Sequence, residues 1–178
     1  KTFTMTNDSS SEGDETIIIA ISSVSGGSAT ESGTQSVTFT IIDDESTPTI
    51  TLTSSVLSLD EDSSTTVTLT ATSSIAATSD ITVTLATTGT ATDGTDYSAV
   101  NGTTITISAD ATTGTKTFTI TDDSVYEGDE TAIVAISGVS GASAVESGSQ
   151  SVTVTITEDD SAPTITLATS ASSIAENS

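Results

Sequence analysis

The chain has 178 residues, enough to bury one or two modest cores. Its 25 acidic residues against two basic ones give a formal charge of -23, which repels nucleic acid and anionic membranes and makes metal cations the natural counter-charge. With 3% aromatic residues and no Cys, His or Trp, it has no disulfides and no thiolate or imidazole ligands, and its core must come from Val, Ile, Leu and Ala.

The opening stretch KTFTMTNDSSSEGDET at Lys1 returns as KTFTITDDSVYEGDET at Lys116, about 115 residues later, and the match continues without a gap until Glu61 falls on Glu176. Roughly two-thirds of the overlapping positions are identical. Pro48 and Pro163 each follow an acidic cluster and each suits the start of a new unit. The repeat therefore divides the chain into residues 1–47, the second half of a preceding unit; 48–162, a complete unit; and 163–178, the first strand of a following one.

Within the complete unit, apolar residues alternate strictly with Thr, the mark of half-buried strands. Ile50 and Leu52 open the series. Val67, Leu69 and Ala71 follow, then Ile81, Val83 and Leu85, then Ile105 and Ile107. Phe118 and Ile120, Val134 and Ile136, and Val152, Val154 and Ile156 complete it. About seven strands, with Gly, Ser and Asp between them and no helical period, predict an all-β, immunoglobulin-like antiparallel sandwich. This alternation also separates the chain from disordered acidic sequences. The Thr faces suit a solvated pleat; ice or glycan binding by them has no positive signal.

Acidic residues gather where strands end: Glu61; Asp96; Asp122, Asp123, Glu127, Asp129 and Glu130; and Glu158, Asp159 and Asp160. Strands reverse at each turn, so the loops that carry Asp96 and Asp122–Glu130 and the tail of the last strand are expected to converge at one end of the sandwich. Numerous oxygen ligands on loops select calcium; magnesium, which prefers few carboxylates and several waters, stays open. The preceding unit repeats the set as Asn7, Asp8, Glu12, Asp14, Glu15, Asp43, Asp44 and Glu45, which weighs against mere solvated charge.

The motifs LDEDS, GTATDGTDYSAV, ITDDSVYEGDETAIVAIS and VTITEDD resemble the Calx-beta domain, a family first recognised in sodium/calcium exchangers and widespread in bacterial surface proteins. The resemblance covers the whole complete unit. It implies a Ca2+ site formed by Glu61, Asp96, Asp122, Asp123, Glu127, Glu130, Glu158, Asp159 and Asp160, with Asp129 matching the pattern as a weaker candidate. In residues 1–47, Asn7 replaces the first Asp of the pair, and no segment supplies counterparts of Glu61 and Asp96.

The expected function is that of a calcium-rigidified repeat in a large extracellular surface protein, an adhesin stalk or filament whose partners are its own neighbouring repeats. The alternative is a calcium sensor regulating a membrane-associated protein. Catalysis is not expected, because no activated nucleophile or His is present and the carboxylates are too numerous and loop-borne for a glycosidase pair. No apolar run approaches a membrane span, so no membrane insertion is expected in this segment. A half sandwich exposes its core. Either the sequence is a stretch of a longer chain that begins and ends inside domains, or copies polymerise end to end by terminal strand donation.

Overall fold

The computed structural model describes residues 1–8, 11–63, 65–173 and 175–176. The alternating segments are strands. Two of them, β1 (Glu15–Ala20) and β2 (Ser36–Ile41), pair antiparallel as a hairpin ahead of the main body. The rest are β3 (Thr49–Ser54), β4 (Ser58–Asp60), β5 (Thr66–Ser73), β6 (Ile81–Gly89), β7 (Thr104–Ile107), β8 (Thr113–Thr119), β9 (Glu130–Ser140), β10 (Val145–Glu146) and β11 (Ser151–Thr157).

They form two sheets, of order β10-β3-β5-β8 and β4-β11-β9-β6-β7. Seven of these strands carry the alternating runs seen in the sequence; β4 and β10 are short additions. The inward residues of both sheets meet in one core that includes Ile50, Val67, Leu69, Val83, Val134 and Val154, all fully buried. The Thr residues between them face outward on the pleat: Thr104, Thr106, Thr117 and Thr119 are exposed, whereas Thr68, Thr70, Thr82 and Thr84 are half-buried.

The first strand of the unit changes sheets. β3 pairs antiparallel with β5, then the chain crosses at Val56 and Leu57, and β4 pairs parallel with β11 with Asp60 opposite Thr157. Leu57 O accepts the Thr155 N–H at 2.9 Å, fixing the crossing point. This switch carries Glu61 to the end of β11. At the end of β6, Gly89 has φ 122, and a Cβ there would run into the Thr131 carbonyl, so only glycine lets β6 lie this close to β9.

Among the described residues no sheet opposes the hairpin of residues 15–41. Its Ile19, Ile21 and Phe39 are 45%, 47% and 44% exposed, although their counterparts Val134, Ile136 and Val154 are buried. Phe3 lays its ring edge against Phe39 at 5.6 Å. Residues 161–173 form no strand, because none of the described residues pairs with them. No helix of the described chain is long and apolar enough to cross a membrane.

Candidate metal centre

Carboxylates reach one end of the sandwich from four separate segments. Glu61 follows β4; its N–H donates to Thr157 O at 3.0 Å, and the residue is 6% exposed. Because β4 runs parallel to β11, this bond sets Glu61 beside Glu158 and Asp159.

Asp96 comes from the β6–β7 loop. Its Oδ2 accepts the Thr92 N–H at 2.6 Å and its carbonyl accepts the Thr121 N–H at 2.8 Å. The next residue, Tyr97, is 1% exposed and packs against Phe118 with ring centroids 5.5 Å apart, so the loop is bolted to the core directly behind Asp96. Asp93 closes the same loop by accepting the N–H groups of Val100 and Asn101 at 2.9 and 3.2 Å.

The β8–β9 loop and the end of β11 supply the rest, and they are latched together. Glu158 Oε2 accepts the N–H groups of Glu127 and Gly128 at 2.5 and 2.7 Å, and its Oε1 accepts the Asp160 N–H at 2.8 Å. In return, the Glu158 N–H donates to Asp129 Oδ1 at 3.1 Å. Gly128 adopts φ 82, a conformation that favours glycine and aims its N–H at the carboxylate. Within the loop, Asp123 Oδ1 accepts the Val125 N–H at 2.7 Å.

The resulting side chains fall into three overlapping groups: Glu61, Asp123 and Glu127; Glu61, Glu158 and Asp159; and Asp96, Glu127 and Glu130. In each group one carboxylate oxygen per residue lies within 4.8 Å of the others. Seven of the nine expected positions are thus brought together. Asp122 and Asp160 join none of the groups, but both lie close enough to Asp159 for their charge to act on it. Asp129, the weaker candidate, holds the Glu158 backbone. Asp62 and Asp93 were not singled out in the sequence; Asp62 also acts on Asp159, and Asp93 shapes the Asp96 loop.

The electrostatics record the crowding. Burial first, then hydrogen bonding to and repulsion by Asp96, pushes Glu130 up to about 7. Burial and the neighbouring carboxylates also raise Glu61, Glu127 and Asp159. Glu158 goes the other way, lowered by the Gly128, Glu127 and Asp160 N–H groups. The chain's only basic residues are Lys1 and Lys116, and Lys116 sits in β8 opposite Leu69. An all-carboxylate donor set with no nitrogen or sulfur suits a hard divalent cation.

The same latch recurs in the leading copy. Asp43 Oδ2 accepts the Glu12 and Gly13 N–H groups at 3.0 and 2.7 Å, its Oδ1 accepts the Glu45 N–H at 3.2 Å, and the Asp43 N–H donates to Asp14 Oδ1 at 3.1 Å. Asn7, Asp8, Glu15, Asp44 and Glu45 line the hollow beside it.

Residues 2–45 and 43–160 each match the sequence model of the Calx-beta domain. The chain belongs to the Calx-beta domain family. Among solved structures, CBD12 from CALX1.2 is similar over 62% of this chain and 44% of that one, with a TM-score of 0.52 and 18% identity. This chain thus spans less than half of that protein's length, and the likeness is one of fold. The apo-form Calx CBD1 domain is similar over 63% of this chain and 99% of that domain, with a TM-score of 0.49 and 21% identity. No curated protein sequence matches the chain. The Calx-beta unit here is the all-β sandwich of β3 to β11, and its acidic end lies where the chain runs on toward Pro163.

Proposed function

We propose that the chain is a calcium-binding structural repeat whose metal stiffens the junction between successive sandwiches in a large extracellular surface protein, such as an adhesin stalk or filament. The observation that carries this reading is the convergence of Glu61, Asp96, Asp123, Glu127, Glu130, Glu158 and Asp159 from four segments at the end where the chain leaves the unit. These residues would hold the calcium, with Asp122 and Asp160 in reach of further ions. Bound calcium supplies the positive charge that this end lacks. The protein's own part is to hold the ligands ready: the Glu158 latch fixes the β8–β9 loop to the end of β11, and the Glu61 N–H fixes the first strand to the last.

A repeated acidic latch immediately before Pro48 supports a role at junctions, since the leading copy's Ser11 and Glu12 line a hollow with Pro48 and the β5–β6 loop of the next unit. With calcium, successive units are expected to be stiff and extended. A ligand that binds only the folded form adds about 2.7 kcal/mol when its free concentration is a hundred times its Kd. Differential scanning calorimetry and small-angle scattering, with calcium and with a chelator, test the proposal. A fall in Tm and a loss of extension on chelation are expected; identical curves would exclude it. The second reading, a calcium sensor, predicts saturation at micromolar rather than millimolar calcium, so one titration separates the two.

A further inference from the structure

The leading copy meets the complete unit through the loop ahead of β1. Ser11, near the tip of that loop, lines a hollow of about 210 Å³ with Pro48 and with Ile75, Ala77, Thr78 and Ser79 of the β5–β6 loop. A cavity of roughly 150 Å³ is enough to hold a benzene ring, so an aromatic side chain has room here. The walls suit one with an apolar body and a polar tip: Pro48, Ile75 and Ala77 offer carbon, and Thr78 and Ser79 offer hydroxyl groups. Ser11 fills little of this space. Its Oγ turns instead to the chain that links the two units, lying 3.1 Å from Thr47 Oγ1 and donating to Asp43 Oδ2 at 3.4 Å.

The repeat carries both partners of that contact in changed form. On the offset that sets Lys1 on Lys116, Ser11 falls on Tyr126 and Thr47 on Ala162. A pair of hydroxyl side chains thus becomes a tyrosine and an alanine, while the latch around them stays the same. Asp43 and Glu158 each hold two loop N–H groups, and Gly13 and Gly128 adopt φ 79 and 82. The side chains at 11 and 126 therefore leave equivalent loops at the same point. The rest of a unit does not fill the place they face: with the Glu61 and Asp96 loops both present, Tyr126 is still 48% exposed and Val125 beside it 57%.

We propose that Pro48 and the β5–β6 loop of a unit form a socket for the β8–β9 loop tip of the unit before it, and that the residue at the position of Ser11 and Tyr126 sets how firmly the two are held. A serine leaves the socket part-filled and the joint loose; a tyrosine plugs it and makes the joint stiff. Ala162 belongs with the second kind, because it withdraws the hydroxyl that Ser11 engages and leaves the side chain opposite free to turn into the socket. Joints of unequal stiffness then follow one another along one chain. The inference deepens the reading of the unit as a junction-forming repeat and rests on it, but it uses side-chain contacts alone and not calcium.

The chain has no tryptophan, so Ser11→Trp in the full chain reports on this place alone. Its emission, read in chelator, should lie to the blue of Ser25→Trp, which stands in the exposed connection between β1 and β2, and acrylamide should quench it less. Adding Ile75→Asp, at a loop residue 38% exposed, should return both readings to the Ser25→Trp values. Emission equal to that of Ser25→Trp, or blue emission that Ile75→Asp leaves unchanged, would overturn the proposal. A second variant, Ser11→Tyr with Thr47→Ala, copies the Tyr126–Ala162 pair into this joint. Ile75→Asp should then lower Tm further in that background than in the parent, as residues in contact are not additive; equal losses would count against the socket. All of these readings are taken without calcium, so they stand or fall apart from the calcium dependence of Tm that tests the metal reading.

Discussion

A carboxylate oxygen of Asp96 and one of Glu130 lie within 4.8 Å of each other, although Asp96 stands on the β6–β7 loop with Tyr97 packed behind it and Glu130 opens β9. Burial and the Asp96 carboxylate beside it push Glu130 up to about 7. A divalent cation bound between them would relieve the repulsion that raises Glu130.

The sign of the pH dependence follows. Above its ordinary value of 4.5 and below about 7, Glu130 holds a proton in the fold that the unfolded chain has released, so its contribution favours the fold on the acid side and is lost as pH rises through about 7. Glu61, Glu127 and Asp159, also raised, act in the same direction. Glu158, lowered, acts oppositely, its contribution fading as pH falls through the acid range. Metal-free protein should thus melt at a higher temperature near pH 5 than at pH 7.5, with calcium reversing the order. Glu130→Gln should raise the metal-free Tm at pH 7.5 and weaken calcium binding, as followed by calorimetry in chelator and by titration.

Asp129 does not join the clustered carboxylates, yet it holds the Glu158 N–H. Asp129→Asn should leave the fold intact and lower calcium affinity by about 10–100-fold, the usual effect of removing a group that orients a ligand. Isothermal titration of the variant beside the parent measures it; unchanged affinity would mean that the latch is decorative.

Phe118 joins the core to the metal end through Tyr97. Phe118→Ala should cost about 3–5 kcal/mol in denaturant unfolding. It should also weaken calcium binding, since the Asp96 loop loses its backing. A core mutation distant from Tyr97, such as Val83→Ala, should cost stability with little change in affinity.

Gly89→Ala tests the close approach of β6 and β9. The new methyl would meet the Thr131 carbonyl at a backbone angle that alanine avoids, so the loss should exceed the ~0.4–1 kcal/mol that a glycine-to-alanine change gains at an unstrained position. Urea unfolding with an unchanged slope would show that the folded state alone is affected.

The seven alternating runs were legible because burial on one face imposes a period of two, and the convergence of the Asp96 loop, the Asp122–Glu130 loop and the end of the last strand followed from strand reversal. Other features left no such trace. β4 is three residues, too short for any period, and only its pairing with β11 reveals it. Asp62 and Asp93 lie in the quoted motifs beside Glu61 and Asp96, but a carboxylate that caps a loop and one that faces the centre look alike in sequence. Ile120 reads as a strand residue; it lies just past β8, buried through its bridge to Tyr97. The open face of residues 15–41 was foreseeable only through the repeat, which shows what covers it elsewhere.

The parallel pairing of β4 with β11 bears on how the unit responds to tension. Because the first and last strands lie side by side and point the same way, pulling on the two ends slides one along the other instead of peeling them apart. The bonds that Leu57 and Glu61 make to Thr155 and Thr157 then carry the load together and must fail together. A unit joined this way resists stretching at the points where the chain enters and leaves it.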